Sequence, residues 1–163
     1  MINKNIRNSI NLWLSKMKYY QNLNFLQRGN IAKKILKLQY KIIGHGYHRI
    51  VYDLENGSVL KVATSINGIN SNITEHHIYT QSPPHLLKYL SPVKAFGYGW
   101  LVMEKNTEKI QDDNGTYKNK LTVLRESFIR EGIIPKDLKR GNLALSYEGE
   151  IIVIDYGNFQ IIN

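Results

Sequence analysis

The chain has 163 residues, a formal net charge of +9 and no cysteine. That length supports one domain of ordinary size with a real core, and the missing thiols exclude disulfides and thiolate zinc sites. No apolar run approaches the ~20 residues that span a bilayer, and MINKNIRNSINLWLSKMKYY lacks the unbroken apolar stretch and small-residue cleavage site of a secretory signal; the expectation is a cytoplasmic protein with no membrane partner.

The charge is uneven. No Asp or Glu precedes Asp53, and that stretch holds ten Lys or Arg, from Lys4 to Arg49; the remainder has twelve basic and thirteen acidic residues. A basic N-terminal third attracts nucleic acid, an acidic protein or nucleotide phosphates, or simply forms a solvated cationic face.

In chain order, Ile2, Ile6, Ile10, Trp13, Met17 and Tyr20 recur every three or four residues, which predicts one apolar helix face. Trp13 and Tyr19-Tyr20 at that spacing read as core more readily than as a base-stacking platform. Gly29-Asn30 breaks the pattern, and Asn30 is expected to cap a second helix carrying Ile31, Ile35 and Leu38. From Gln39 the period shortens. QYKII, RIVYDL and SVLKVA read as three antiparallel strands, with GHGYH as the first turn and Asn56-Gly57 as a type I′ turn that needs positive φ at both residues. A helix is expected over Asn72 to Thr80, ended by Pro83-Pro84. VKAFGYGWLVMEK reads as a hairpin of Val93 to Phe96 and Trp100 to Glu104. After the polar loop NTEKIQDDNGTYKNK, Leu121, Leu124 and Phe128 mark another helix. Leu143 to Leu145 and Ile151 to Ile154 form a last hairpin around Glu148-Gly149.

Four stretches stand out chemically. GHGYHRIVY places Gly44 and Gly46 between two strands, where backbone N–H groups unshielded by side chains can approach phosphate. VLKVA puts Lys61 in mid-strand, where a cation needs an anionic partner; taken alone it is an ordinary edge lysine. PKDLKRGN spaces Asp137, Lys139 and Asn142. IIVIDYG sets Asp155 directly after an apolar strand.

Ordered in this way, the pieces resemble the protein kinase fold, in a form similar to a minimal bacterial or phage member of the eukaryotic-type Ser/Thr class. The expected class is α+β: an antiparallel-sheet small lobe over residues 39–105, a truncated, mainly helical second lobe over 106–163, and a basic helical extension, 1–38, packing on the domain. The resemblance implies ATP and Mg²⁺ as cofactors. Gly44 and Gly46 would cover the phosphates, Val51 would roof the adenine, and Lys61 would hold the α- and β-phosphates with Glu75 as its partner, at an interval shorter than usual. LVMEK would be the hinge, with Met103 behind the nucleotide and Glu104 and Asn106 offering main-chain contacts. PKDLKRGN matches H-R-D-L-x-x-x-N from the Asp onward, so Asp137 would orient the acceptor hydroxyl, Lys139 would face the γ-phosphate as in protein Ser/Thr kinases, and Asn142 with Asp155 of DYG would bind the metal. Lys61, Asn142 and Asp155 would then have to converge. The chemistry needs such a set because phosphoryl transfer builds negative charge that placement, Mg²⁺, Lys and backbone donors must neutralise.

The resemblance covers roughly Tyr40 to Phe159, and it has departures. Arg49 replaces the third glycine, Pro135 replaces the catalytic-loop His, and no activation segment follows DYG before Asn163. The short second lobe is expected to leave apolar surface bare on the Leu121–Phe128 helix and the terminal hairpin, to be covered by the N-terminal helices, a second copy or a target protein. His45 and His48 fall in the phosphate loop, contacting phosphate or facing solvent. His76 and His77, adjacent on a helix, point apart and make poor shared ligands. Two functional readings follow: an ATP/Mg-dependent phosphotransferase acting on Ser or Thr of a protein partner or of itself, and a pseudokinase-type binding or inhibitory protein without turnover. A homodimer and a nucleic-acid contact through the basic third complete the expected partners.

Overall fold

A computed structural model describes residues 2–111 and 116–162, with the side chain of Thr116 left aside. The middle of the expected polar loop, 112–115, lies outside the described residues. The chain divides into two units, Met1–Asn72 with Val93–Lys105, and Ile73–Pro92 with Asn106–Asn163.

In the first unit Asn3 caps α1 (Lys4–Met17), its side chain accepting the Ile6 N–H at 3.0 Å. The three-and-four spacing turns Ile6, Ile10, Trp13 and Met17 inward, and a 3₁₀ turn, Lys18–Tyr20, follows. Helix α2 runs Phe25–Leu36 and is capped by Asn24, which accepts the Gln27 N–H at 3.0 Å. Asn30 is therefore not a cap. The helix continues through Gly29-Asn30 because a Cβ on Gly29 would overlap the His45 ring, so this glycine marks a close approach and not a break. The helix ends at Lys37, left-handed at φ +48°.

Five antiparallel strands follow: β1 (Ile42–His45), β2 (Arg49–Asp53), β3 (Ser58–Ala63), β4 (Val93–Gly97) and β5 (Trp100–Glu104), in the order β1–β2–β3–β5–β4. The β2–β3 connection differs from the expected type I′ turn: positive φ falls on Glu55 (+57°) and Gly57 (+76°) and not on Asn56. Leu54 and Ser58 still pair through the Leu54 N–H at 3.0 Å, so three residues, not two, make the turn. The Asp53 carboxylate stabilises it by accepting the Glu55 N–H at 2.9 Å and the Lys105 ammonium at 2.7 Å. Ile6, Ile10, Trp13, Ala32 and Leu36 of the helices share one core with Ile50, Leu60, Val62 and Val102 of the sheet. Trp13 is fully buried, and its indole N–H donates to the Ala63 carbonyl at 2.8 Å, which satisfies the ring's one polar atom.

Helix α3 (Ile66–Gln81) begins six residues before the expected start and crosses from the first unit into the second. The second unit then holds α4 (Pro84–Leu87), α5 (Thr116–Arg130), β6 (Ile133–Ile134), β7 (Leu143–Leu145), β8 (Ile151–Val153) and β9 (Gln160–Ile161), with β7 paired to β8 and β6 to β9. Phe128 meets Phe159 edge-on with centroids 5.4 Å apart, and Phe159 meets Tyr156 at 6.0 Å. The expected bare surface is thus largely absent. Leu124, Phe128, Ile151 and Val153 are all buried, while Val123 and Ile129 remain exposed. The pairing of β6 with β9 was not foreseen, since two-residue strands carry no periodic signal. Among the described residues no helix is long and apolar enough to cross a membrane.

Candidate active site

The first unit carries the glycine-rich stretch and Lys61. Gly44 lies in β1 opposite Val51, and a Cβ there would stand 3.3 Å from Val51 Cβ. Gly46 is exposed and open, its N–H donating to the Arg49 carbonyl at 3.0 Å. Arg49, in the place of the third glycine, is buried and donates to Asn72 Oδ1 at 3.1 Å. His45 ends β1, so the connecting turn is shorter than GHGYH. His48 Nδ1 lies 2.9 Å from the Ser65 hydroxyl. Burial, then the nearby Arg28 and Arg49 cations, hold the His48 pKa below its ordinary value, and burial and Lys33 do the same to His45. Lys61 is no edge lysine. It sits in the central strand, every residue of β3 is buried, and Lys61 itself is 4% exposed. In the hinge stretch Met103 is buried between Val59 and Val93 in the pairing register, whereas Glu104 is exposed and 3.6 Å from Lys94.

The second unit gathers the remaining chemistry. Asp137 has φ +63°, a conformation costing a non-glycine residue roughly 1–2 kcal/mol, though Asp tolerates it better than most. Two donors hold it there: the Lys139 N–H and Asn142 Nδ2 reach the Asp137 carbonyl at 2.8 and 2.9 Å. The Asp137 carboxylate is ringed by Lys139 Nζ at 3.1 Å, Asn142 Nδ2 at 3.2 Å and Asn158 Nδ2 at 3.4 Å. The β7–β8 register pairs Leu143 with Val153, and the Ile154 N–H donates to the Asn142 carbonyl at 2.9 Å. Asn142 therefore lies beside the half-buried Asp155, whose Oδ1 accepts the Gly157 N–H at 3.4 Å. Glu75, fully buried on α3, accepts the Tyr156 N–H at 3.0 Å. Tyr156 is also fully buried, and its hydroxyl donates to the Ser91 carbonyl at 2.8 Å.

Asn142 spends its amide N–H₂ on Asp137, so its oxygen is turned to a different role. With the Asp155 carboxylate it makes a hard-oxygen pair suited to Mg²⁺, which keeps several waters and takes further oxygens from substrate phosphates. Among the described residues no group of three or more His, Cys, Asp or Glu could hold a metal.

Sequence reasoning missed Asn158 and Ser91. Asn158 follows Asp155 by three residues, a spacing that could have prompted a search; Ser91 carried no signal, because it acts through its backbone.

No protein-family model matches the chain, and no curated protein matches it. Solved structures do. The bifunctional kinase-methyltransferase WbdD superposes with a TM-score of 0.60 at 18% identity over 72% of this chain and 31% of that one. Monomeric WbdD gives 0.60 and 18% over 71% and 33%, and WbdD with a kinase inhibitor gives the same score and identity over 71% and 32%. The chain spans about a third of these proteins. The likeness establishes a kinase-like α+β fold.

Proposed function

We propose that the chain is a Mg·ATP-dependent phosphotransferase acting on a Ser or Thr hydroxyl, in a protein partner or in itself. The observation that carries this reading is the Asp137 carboxylate, fixed by Lys139, Asn142 and Asn158 in a loop tied to the segment that leads from β8 into Asp155. In the reaction an acceptor oxygen bonds to the γ-phosphorus as the bond to the β-phosphate oxygen breaks. Asp137 orients the hydroxyl and takes its proton, and ADP leaves. Lys139 neutralises charge on the transferring group. Lys61 would serve the α- and β-phosphates, and Glu75 is braced by the Tyr156 N–H. Gly44 and Gly46 keep the loop backbone clear of side chains so that phosphates can approach it, Val51 and Met103 offer an apolar setting for the base, and Glu104 hinge main-chain groups. Asn142 and Asp155 would hold Mg²⁺, which when bound draws charge from the β- and γ-phosphate oxygens.

The test is mass spectrometry after incubation with Mg·ATP and candidate acceptors. Phosphate transfer by the wild-type chain, reduced about a hundredfold or more in Asp137→Asn, supports the reading; equal labelling in both, or none in either, opposes it. A second reading, a binding protein without turnover, is favoured by the buried Pro135 at the His position and by Arg49 turned to Asn72. Thermal stabilisation by Mg·ATP with no transfer would select it.

A further inference from the structure

The glycine-rich loop, 44–48, is the part of a nucleotide site usually free to move, yet here both neighbouring helices of its unit hold it. From α2, Arg28 is 6% exposed, and its guanidinium donates to the Tyr47 carbonyl at 2.7 Å and the Leu23 carbonyl at 3.0 Å. The Phe25 ring lies 4.4 Å from the Tyr47 ring and 6.1 Å from His45. Gly29, mid-helix, leaves the space that the His45 ring fills. From the turn between β3 and α3, Ser65 bonds His48 and the Thr64 N–H donates to the His48 carbonyl at 2.7 Å, and a Cβ on Gly68, in the first turn of α3, would overlap that carbonyl.

A helix-interior glycine costs about 1 kcal/mol relative to alanine. Gly29 beneath His45 makes sense if close seating of the loop offsets that cost, and Gly68, in the first turn of α3, leaves similar room beneath His48. We infer that α2 and the start of α3 form a cradle that sets the posture of the glycine-rich loop, with Arg28 as the positioning residue. The stiffness that a third glycine would forfeit is supplied by Arg49, which ties the β2 side to Asn72. A loop held in this way loses little conformational entropy when it closes on phosphates, so its backbone donors act at lower cost. The phosphate role rests on the nucleotide reading above; the restraint of the loop does not.

The experiment measures amide exchange at Gly46, whose N–H is bonded to Arg49, with Leu60 and Val62 in the central strand as reporters of global opening. Mg·ATP affinity is measured alongside by calorimetry on the full chain. In Arg28→Ala, Gly46 exchange is expected to rise at least about tenfold, the loss of one charge-assisted hydrogen bond, with Leu60 and Val62 unchanged and affinity weaker by several-fold. Phe25→Ala is expected to move both in the same direction by less, and it decides the matter if Arg28→Ala does not fold. Unchanged Gly46 exchange overturns the cradle. Faster exchange with unaltered affinity overturns the positioning role. If the wild-type chain binds no Mg·ATP the nucleotide reading falls, and the exchange comparison still tells whether the helices hold the loop.

Discussion

Tyr156 stands where the kinase pattern has Phe, and its hydroxyl explains the exchange. A fully buried phenol needs a partner, and the Ser91 carbonyl supplies it at 2.8 Å. Tyr156→Phe removes the Tyr156 hydroxyl bond to that carbonyl while preserving the ring packing on Phe159. The expected loss is about 1–2 kcal/mol, read as a lower urea midpoint with an unchanged m-value. A rise in stability would show that the hydroxyl contributes nothing. Asp137 is the opposite case, a residue whose φ of +63° costs stability and is maintained by donors from Lys139 and Asn142. Backbone strain held by surrounding bonds is characteristic of functional loops. On the proposed phosphotransferase reading, Asp137→Asn, which keeps an αL-tolerant side chain, is expected to lose transfer without losing stability.

Among the elements, the helices set the terms for the loop between β1 and β2. Gly29 lies inside α2 and Gly68 in the first turn of α3, and they separate two kinds of close approach. A Cβ at Gly68 meets the His48 carbonyl, part of the backbone, whereas a Cβ at Gly29 meets the outer end of the His45 side chain. A side chain can swing aside; a bonded carbonyl cannot. Gly68→Ala is expected to destabilise by roughly 1–3 kcal/mol through overpacking, despite the ~1 kcal/mol that alanine returns in helix propensity. Gly29→Ala should cost much less. Thermal melts of the two variants test the contrast, and equal melting temperatures would remove the argument. The central strand shows the same dependence on neighbours. SVLKVA reads as a plain strand, and only its place between β2 and β5 buries Lys61.

For the molecule as a whole, the basic N-terminal third shapes the response to pH. His45 and His48 lie among Lys33, Arg28 and Arg49, and burial with those charges lowers both pKa values in the folded chain. The unfolded chain, with imidazoles near 6.5, then takes up protons first as pH falls. Stability is therefore expected to decline on acidification through 6.5 towards the lower folded values. His48→Asn should flatten the dependence in denaturant titrations between about pH 7.5 and 5.5, and an unaltered slope would place its origin elsewhere. Much of this organisation was legible beforehand. The five strands, as a three-stranded run and a separate hairpin, the last hairpin and the spacing of Asp137, Lys139 and Asn142 follow from short-range pattern, because a strand's alternation and a loop's intervals are properties of adjacent residues; the β3–β5 pairing that joins the sheet does not. The Asn158 contact was not legible, because it depends on a residue 21 positions away; the cap at Asn24 and the turn at Glu55–Gly57 are local, and Asn30 and the Asn56-Gly57 pair offered competing signals there.

By itself the amino-acid sequence determined α1, the strands of the large sheet, the β7–β8 hairpin and the close spacing of Asp137, Lys139 and Asn142, since hydrogen bonds three or four residues apart and side-chain periodicity act locally. The tertiary structure alone decided that Gly29 is a seat and not a helix break, that Arg28 serves the glycine-rich loop, and that Tyr156 reaches a carbonyl 65 residues away. Those contacts join parts of the chain whose separation carries no periodic signal. They form only when burial of the shared core outweighs the entropy of bringing distant segments together.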